Sequence, residues 1–314
     1  MMRSYKKGPV MHRRDFLAAS AAAGVATLAT PFTVRALEIG GRRLRTVSDG
    51  NLTLPAEFMF GPMPQGELAD ILAAHGIDPA APLTPPCNVT VLEVGERVVL
   101  FDAGAGDNFQ PDTGLLVDAL DHVGIAPEDV THVVFTHGHP DHLWGILDDF
   151  DDLVFADAVH MMGAAEHAYW TDPDTVESIG EARASFAVGA RRRLEALEGE
   201  MVLFGPDEEI LPGIAAVPAF GHTPGHTAFR ITDGAASAMV VGDAIGNPHV
   251  AFAKPEWPSG SDQNPERAAK TRAGLLAELA SEGTTMVGFH LPDGGIGRVV
   301  AEGDAYRFEP VSEG

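Results

Sequence analysis

"FTHGHPDHLWG", residues 135–145, sets His137, His139, Asp141 and His142 within six positions, directly after the apolar run Val133–Phe135. On an extended segment, side chains two residues apart point the same way, so His137 and His139 can grip one metal ion from one side. Pro140 then bends the chain, and Asp141 and His142 project elsewhere, which suits a second ion. Neutral imidazoles with a carboxylate are borderline-soft ligands that favour zinc, with iron, manganese or cobalt as alternatives. Any one of these histidines alone would read as a surface or core residue. The cluster is what points to metal.

Four ligands cannot close two sites, so other segments must contribute. "PAFGHTPGHTAF" (218–229) offers His222 and His226 in a turn that runs into a strand. "MVVGDAIGN" (239–247) ends an apolar strand at Asp243, and "MVGFHLPDGGIGRV" (286–299) ends another at His290. Each is a candidate ligand at the tip of a buried strand, where side chains converge on one sheet edge.

Around these motifs the hydrophobic pattern predicts strands at 89–94 and 97–102, joined by a Gly95-Glu96 turn. Further strands are expected at 132–136, 153–155, 158–161, 214–218, 226–232 and 238–242. Helices fit 65–75, 113–123, 163–169, 179–199 and 265–281. The alternation lacks the regular spacing of a doubly wound parallel sheet and predicts two mixed β-sheets with helices outside. No Pro/Ser-rich linker divides the chain after the first 36 residues.

The N-terminal stretch "MHRRDFLAASAAAGVATLATPFTVRALE" pairs Arg13 and Arg14 before an Ala-rich, mildly apolar run. It resembles a twin-arginine export signal, with cleavage expected after Ala36, leaving residues 37–314 as one domain. Export of an already folded chain to the periplasm or medium suits a protein that loads metal first. Loss of residues 1–36 takes the formal charge from −24 to −29. Such a surface repels phosphate backbones and anionic headgroups, so nucleic acid and lipid are poor partners. No later apolar stretch is long enough to span a bilayer. Cys87 is the only cysteine, which rules out an intramolecular disulfide, and its place at the start of a strand reads as a buried structural thiol.

The set of motifs, in this order, resembles the metallo-β-lactamase superfamily of hydrolases, from "TVSDGNLTLP" at 46–55 to "AEGDAYRFEPV" at 301–311. The resemblance implies an α/β (α+β) fold, a four-layer αβ/βα sandwich with two metals at one edge of facing sheets. It places His137, His139 and His222 on one ion and Asp141, His142 and His290 on the other. Asp243 bridges them, Asp102 in "FDAGAG" is the structural aspartate, and His226 is a structural partner. Oxygen-reducing diiron relatives carry Glu where His139 stands, so hydrolysis is favoured over redox chemistry. The nearest likeness is to the methyl parathion hydrolase group, with acyl-homoserine lactonases a step further, through "LPGIAAVPAFGHTPGHT", "GIGRV" and "GDAYRFEPV".

That likeness implies attack by a metal-bridging hydroxide on a small, neutral, fairly hydrophobic ester, a phosphotriester or a lactone, with Asp141 orienting the hydroxide and taking its proton. It also implies an aromatic pocket from Phe109, Trp170 and Phe186, with Trp144 at the rim, and a homodimer as in many relatives. A β-lactam or carboxylic ester on the same ligands is the alternative, and a binding protein without catalysis a further one. Two departures matter. The lactonases' catalytic tyrosine has Gly246 in its place, and "HLPDGGIG" has Asp293-Gly294 where relatives tend to have Phe-Pro, an acidic loop expected to alter the pocket beside His290 or to favour a cationic substrate.

Overall fold

The computed structural model describes residues 33–311. Fourteen strands form two mixed seven-stranded sheets. The first runs in order β1 (Val34–Ile39), β2 (Arg42–Asn51), β3 (Pro86–Val94), β4 (Arg97–Phe101), β5 (His132–Phe135), β6 (Val159–Gly163) and β7 (Val202–Phe204). Strands β1 to β4 pair antiparallel, and β4 to β7 pair parallel. The second sheet reads from its far edge β14 (Ala305–Pro310), β13 (Ile296–Glu302), β12 (Thr285–Gly288), β11 (Ala236–Gly242), β10 (Thr227–Asp233), β9 (Ile214–Pro218) and β8 (Glu209–Leu211). All its pairs are antiparallel except β11 with β12.

Strand periodicity produces the layers. Val99, Phe101 and Val134 face Ile214, Phe229, Ile231 and Val240 of the other sheet, with the Phe101 and Phe229 rings 5.2 Å apart. Their neighbours Leu100, Val133 and Phe135 point outward against Leu116, Leu120 and Leu194. On the other side Met239, Val241 and Met286 meet Leu275, Leu276 and Leu279 of helix Pro265–Glu282. Strands covered on both faces read as unbroken apolar runs, which is why they stood out in the sequence. The αβ/βα sandwich expected from the sequence is what forms.

Several elements differ in detail. The strand expected at 153–155 reduces to a single bridge, Leu147 to Leu153. The helix expected over 179–199 is Ala184–Ala196, preceded by one 3-10 turn, Glu181–Arg183. Gly180, at φ 92°, takes a left-handed conformation that an α-helix cannot include. The expected leader, residues 1–36, lies outside the described residues up to residue 32, while Val34–Ala36 pair with Arg45–Val47, so a cut after Ala36 would divide β1.

Candidate metal centre

Each chemical residue sits where an apolar strand runs out. β5 ends at Phe135, and the next residues carry His137 and His139 before Pro140 starts the short helix Pro140–Leu143, which holds Asp141 and His142. His222 follows β9, Asp243 follows β11 on a 3-10 turn, and His290 follows β12. The fold brings all seven together, and all are buried. His137 Nε2 and His222 Nε2 lie 3.0 and 2.9 Å from His139 Nδ1. Asp141 Oδ2 lies 3.2 Å from His290 Nε2 and 3.4 Å from His142 Nε2. Asp243 reaches both groups, with Oδ2 3.4 Å from His222 Nε2 and 3.3 Å from His290 Nε2, and Oδ1 3.2 Å from His142 Nε2.

The outer partners fix which ring nitrogens face inward. His142 Nδ1 is 2.8 Å from the Asp102 carboxylate, and His222 Nδ1 is 3.1 Å from that of Asp262. His290 Nδ1 is 2.8 Å from the Pro86 carbonyl. These oxygens only accept, so each Nδ1 carries the hydrogen and, in the neutral ring, each Nε2 presents a lone pair to the centre. The Thr136 hydroxyl donates to Asp102 Oδ2 and therefore accepts from His137 Nδ1, which leaves His137 Nε2 bare as well. Asp141 Oδ2, His142 Nε2 and Asp243 Oδ1 are buried and make no hydrogen bond. Converging lone pairs and orphaned carboxylate oxygens lack only a cation, so the residues fit two divalent ions.

Electrostatics agree. Burial and the surrounding imidazoles hold His137 and His139 well below the ordinary histidine value, as ligands must be. Burial opposes protonation of His142 and His290 too, but Asp243 and Asp141 overcome it and raise both well above the usual range. The centre therefore demands positive charge. Cys87 is fully buried, as expected, and burial pushes its thiol up to about 12. Its sulfur lies within 4.8 Å of ligand atoms of Asp141 and His290.

The sequence profile of the metallo-beta-lactamase superfamily matches residues 84–290. The chain belongs to that superfamily of hydrolases. A probable metallo-hydrolase of Mycobacterium tuberculosis is 29% identical over 180 residues, 51% of this chain and 56% of that protein, so the match spans little more than half the relative's length. Among solved structures, AidC, a dizinc quorum-quenching lactonase in complex with a product, superposes with a TM-score of 0.84 at 23% identity, covering 90% of this chain and 98% of its own. The hydrolase AbOPH gives 0.83 at the same identity and coverage. At this identity the two structures establish the fold.

Within this superfamily fold, three residues at or beside the site were not legible in the sequence. Asp262 orients His222 and is itself held by Arg272, whose Nη2 lies 2.6 Å from Asp262 Oδ2. Glu166, fully buried, accepts from Gly138 N and Trp170 Nε1 on one oxygen and from Thr223 Oγ1 and Gly225 N on the other. It thus ties the His137/His139 loop to the His222 loop. The spacing of Glu166 and Trp170, one helical turn apart, was the only available hint; Asp262 in "SGSDQNPERAA" gave none. The third is Arg183 in the cleft wall, which has no motif around it. His226 is the structural partner expected, its Nε2 accepting from Asp243 N at 3.0 Å.

Above the centre opens a cleft of about 290 Å³, with Asp141, Asp243 and His290 among its lining residues and Leu52, Leu54, Phe58, Phe109 and Phe186 in its walls. Phe186 packs 5.8 Å from the His139 ring, and Phe109 6.1 Å from Phe186. Of the four expected aromatics, Phe109 and Phe186 line this cleft. The other two are corrections. Trp170 is buried beneath the centre, because Glu166 binds its indole N–H at 2.6 Å, and its ring backs His139 at 5.7 Å. Trp144 packs behind Phe109, 4.4 Å from the Arg193 guanidinium, where the bare Cα of Gly189 makes room for its ring. The Asp293-Gly294 loop does not line the cleft either; Gly294 packs on Arg35 and Thr46, and Asp293 is exposed. Gly246 does line it, and a Cβ there would have room.

Proposed function

We propose that the protein is an exported dinuclear metallohydrolase acting on a small, fairly hydrophobic ester, a phosphotriester or a lactone. The observation that carries this is the convergence of seven buried donors, as two half-sites sharing Asp243, at the base of a largely apolar cleft. His137, His139 and His222 would hold one ion, and Asp141, His142 and His290 the other. Zinc suits the donors, with iron, manganese or cobalt as alternatives. Such ions supply Lewis acidity and bring the pKa of water to about 7. The chain's own part is to orient and exclude. The Asp141 carboxylate, buried beside His142 and His290, would orient the attacking water and receive its proton. Asp102, Asp262 and Pro86 hold their histidines in the ligating tautomer. Leu52, Leu54, Phe58, Phe109 and Phe186 keep bulk water from the bond under attack.

Gly246 favours the phosphotriester member of the pair, since no phenol stands where the lactonases' tyrosine would be. β-Lactams and carboxylic esters share the ligand requirements and belong in the same substrate panel. Export rests on the Arg13-Arg14 stretch and is checked by cell fractionation, and self-association into a dimer by sedimentation.

The decisive experiment pairs metal analysis with rates on aryl phosphotriesters, lactones, aryl esters and β-lactams. About two equivalents of metal are expected, with turnover lost on chelation and in Asp243→Ala while the fold is retained. Less than one equivalent of metal, or hydrolysis indifferent to chelation, would overturn the proposal. Two equivalents with no turnover on any substrate would favour the binding protein instead.

A further inference from the structure

We propose that Arg183 forms an acceptor subsite in the cleft wall, and that the substrate's arm carries a carbonyl or carboxylate oxygen there. This rests on the hydrolase reading and narrows it, because a wholly hydrocarbon arm would leave the guanidinium unanswered.

Apart from the candidate ligands, the polar side chains in the cleft are Thr53, Gln110, Arg183 and Ser261. Gln110 Oε1 already accepts from the Thr53 backbone N–H, and the Ser261 hydroxyl is 2.9 Å from that of Ser259. Arg183 is different. It carries a full positive charge in a chain of net charge −24, and it faces a mostly apolar wall. It closes the 3-10 turn Glu181–Arg183, one turn before Phe186, the ring that packs on His139. It therefore shares the cleft wall with Phe186, outside the set of candidate ligands.

Its guanidinium is fixed in place. Nη2 donates to the Gly260 carbonyl at 2.5 Å, and the guanidinium carbon lies 5.5 Å from the centre of the Phe58 ring. Both contacts belong to one braced corner, where Gly260 N bonds to Met59 O at 3.0 Å and a Cβ on Gly260 would strike the Phe58 carbonyl. A guanidinium offers five N–H donors, and among the described residues one of them finds an acceptor. No ion pair joins Arg183 to a described residue. Asp262, the carboxylate acting on it most, is already engaged by His222 and Arg272. A half-buried, pre-oriented cation with unspent donors will bind an oxygen acceptor more strongly than water-exposed arginine does, because its ordering cost is met within the fold.

The test uses full-length, metal-loaded enzyme and three esters with the same leaving group and arms of equal length, ending in a hydrocarbon, a carbonyl or a carboxylate. Wild type is expected to prefer the oxygen-bearing arms. Arg183→Met should lower kcat/KM on those arms by about 10- to 100-fold, the loss expected when a charged hydrogen bond disappears, with a loss at least tenfold smaller on the hydrocarbon arm. The carbonyl or carboxylate arm that suffers more identifies the oxygen's source. Arg183→Lys, which keeps the charge without the fork, should recover part of the carboxylate rate and little of the carbonyl rate. Equal losses on all three arms would show that Arg183 only ties its turn to Gly260, and the proposal would fall. Calorimetric binding of the three matched, non-hydrolysable amides reads the subsite without turnover. Preference there for the oxygen-bearing amides, lost in Arg183→Met, would support the subsite even if the hydrolase reading failed, and no preference would overturn it.

Discussion

Replacing Glu166 by glutamine keeps the side chain's shape and removes its charge. In the native protein its two oxygens receive four donors, from Gly138, Trp170, Thr223 and Gly225, at 2.6–2.9 Å. Burial pushes this carboxyl above the ordinary glutamate value, and the four donors pull against that shift. A glutamine amide fits badly in either orientation. Turned toward Gly138 and Trp170, its NH2 opposes two fixed N–H groups. Turned the other way it meets Gly225 N–H, though the Thr223 hydroxyl can rotate to accept. Weakening charge-assisted bonds to neutral ones costs about 1 kcal/mol each, and one orphaned N–H costs about 1–3 more. Relief from burying a charge offsets part of this, leaving a net cost of about 2–4 kcal/mol.

Where that cost falls is the informative part. Gly138 lies between His137 and His139, and Thr223 follows His222, so these two donors adjoin the three candidate ligands of one half-site. Metal affinity should drop about 10- to 100-fold at that half-site, the usual penalty for losing an outer partner, and much less at the other. Titration against a chromophoric chelator, with cobalt absorption spectra to separate the two ions and a melting curve alongside, reads both outcomes. If Glu166→Gln weakened both ions equally, or lowered the melting temperature with metal affinity intact, Glu166 would be a core residue and not a clamp.

Two further predictions concern stability. His160 on β6 is buried with Nε2 unbonded, and burial lowers its pKa to about 4. The unfolded chain takes up a proton near pH 6.5 that the folded chain refuses until about pH 4, so stability falls as the pH drops through that window, by about 3 kcal/mol. His160→Phe should remove this contribution and make the pH dependence shallower, and urea unfolding of both proteins at pH 7 and 4.5 checks it; identical slopes would refute the assignment. Gly145→Ala should destabilise by about 2 kcal/mol or more, since its Cβ would lie 2.1 Å from the Ala103 carbonyl oxygen, backbone against backbone. An unchanged melting temperature would contradict that.

What was legible and what was not divides along the same physical line as chemistry and specificity. The candidate ligands could be read because they lie beside their own signal, an apolar run that ends at a histidine or aspartate: Phe135 before His137, Val241 before Asp243, Phe289 before His290. The residues that shape the site act across long separations. Glu166 reaches Gly138 from 28 positions away and Thr223 from 57, and Asp262 reaches His222 from 40. Arg183 meets Gly260 from 77. No local pattern marks such meetings, because they exist only once the two sheets have closed. The tryptophans show the reverse error. An indole near a metal motif suggests a pocket, yet a carboxylate one helical turn away turns Trp170 inward, and a glycine on a neighbouring helix makes room for a half-buried Trp144 behind Phe109. A family can therefore keep its ligands at strand ends while loops far away in sequence exchange the cleft walls. Arg183 is such a wall residue, and binding of the matched amides would test it independently of turnover at the candidate metal centre.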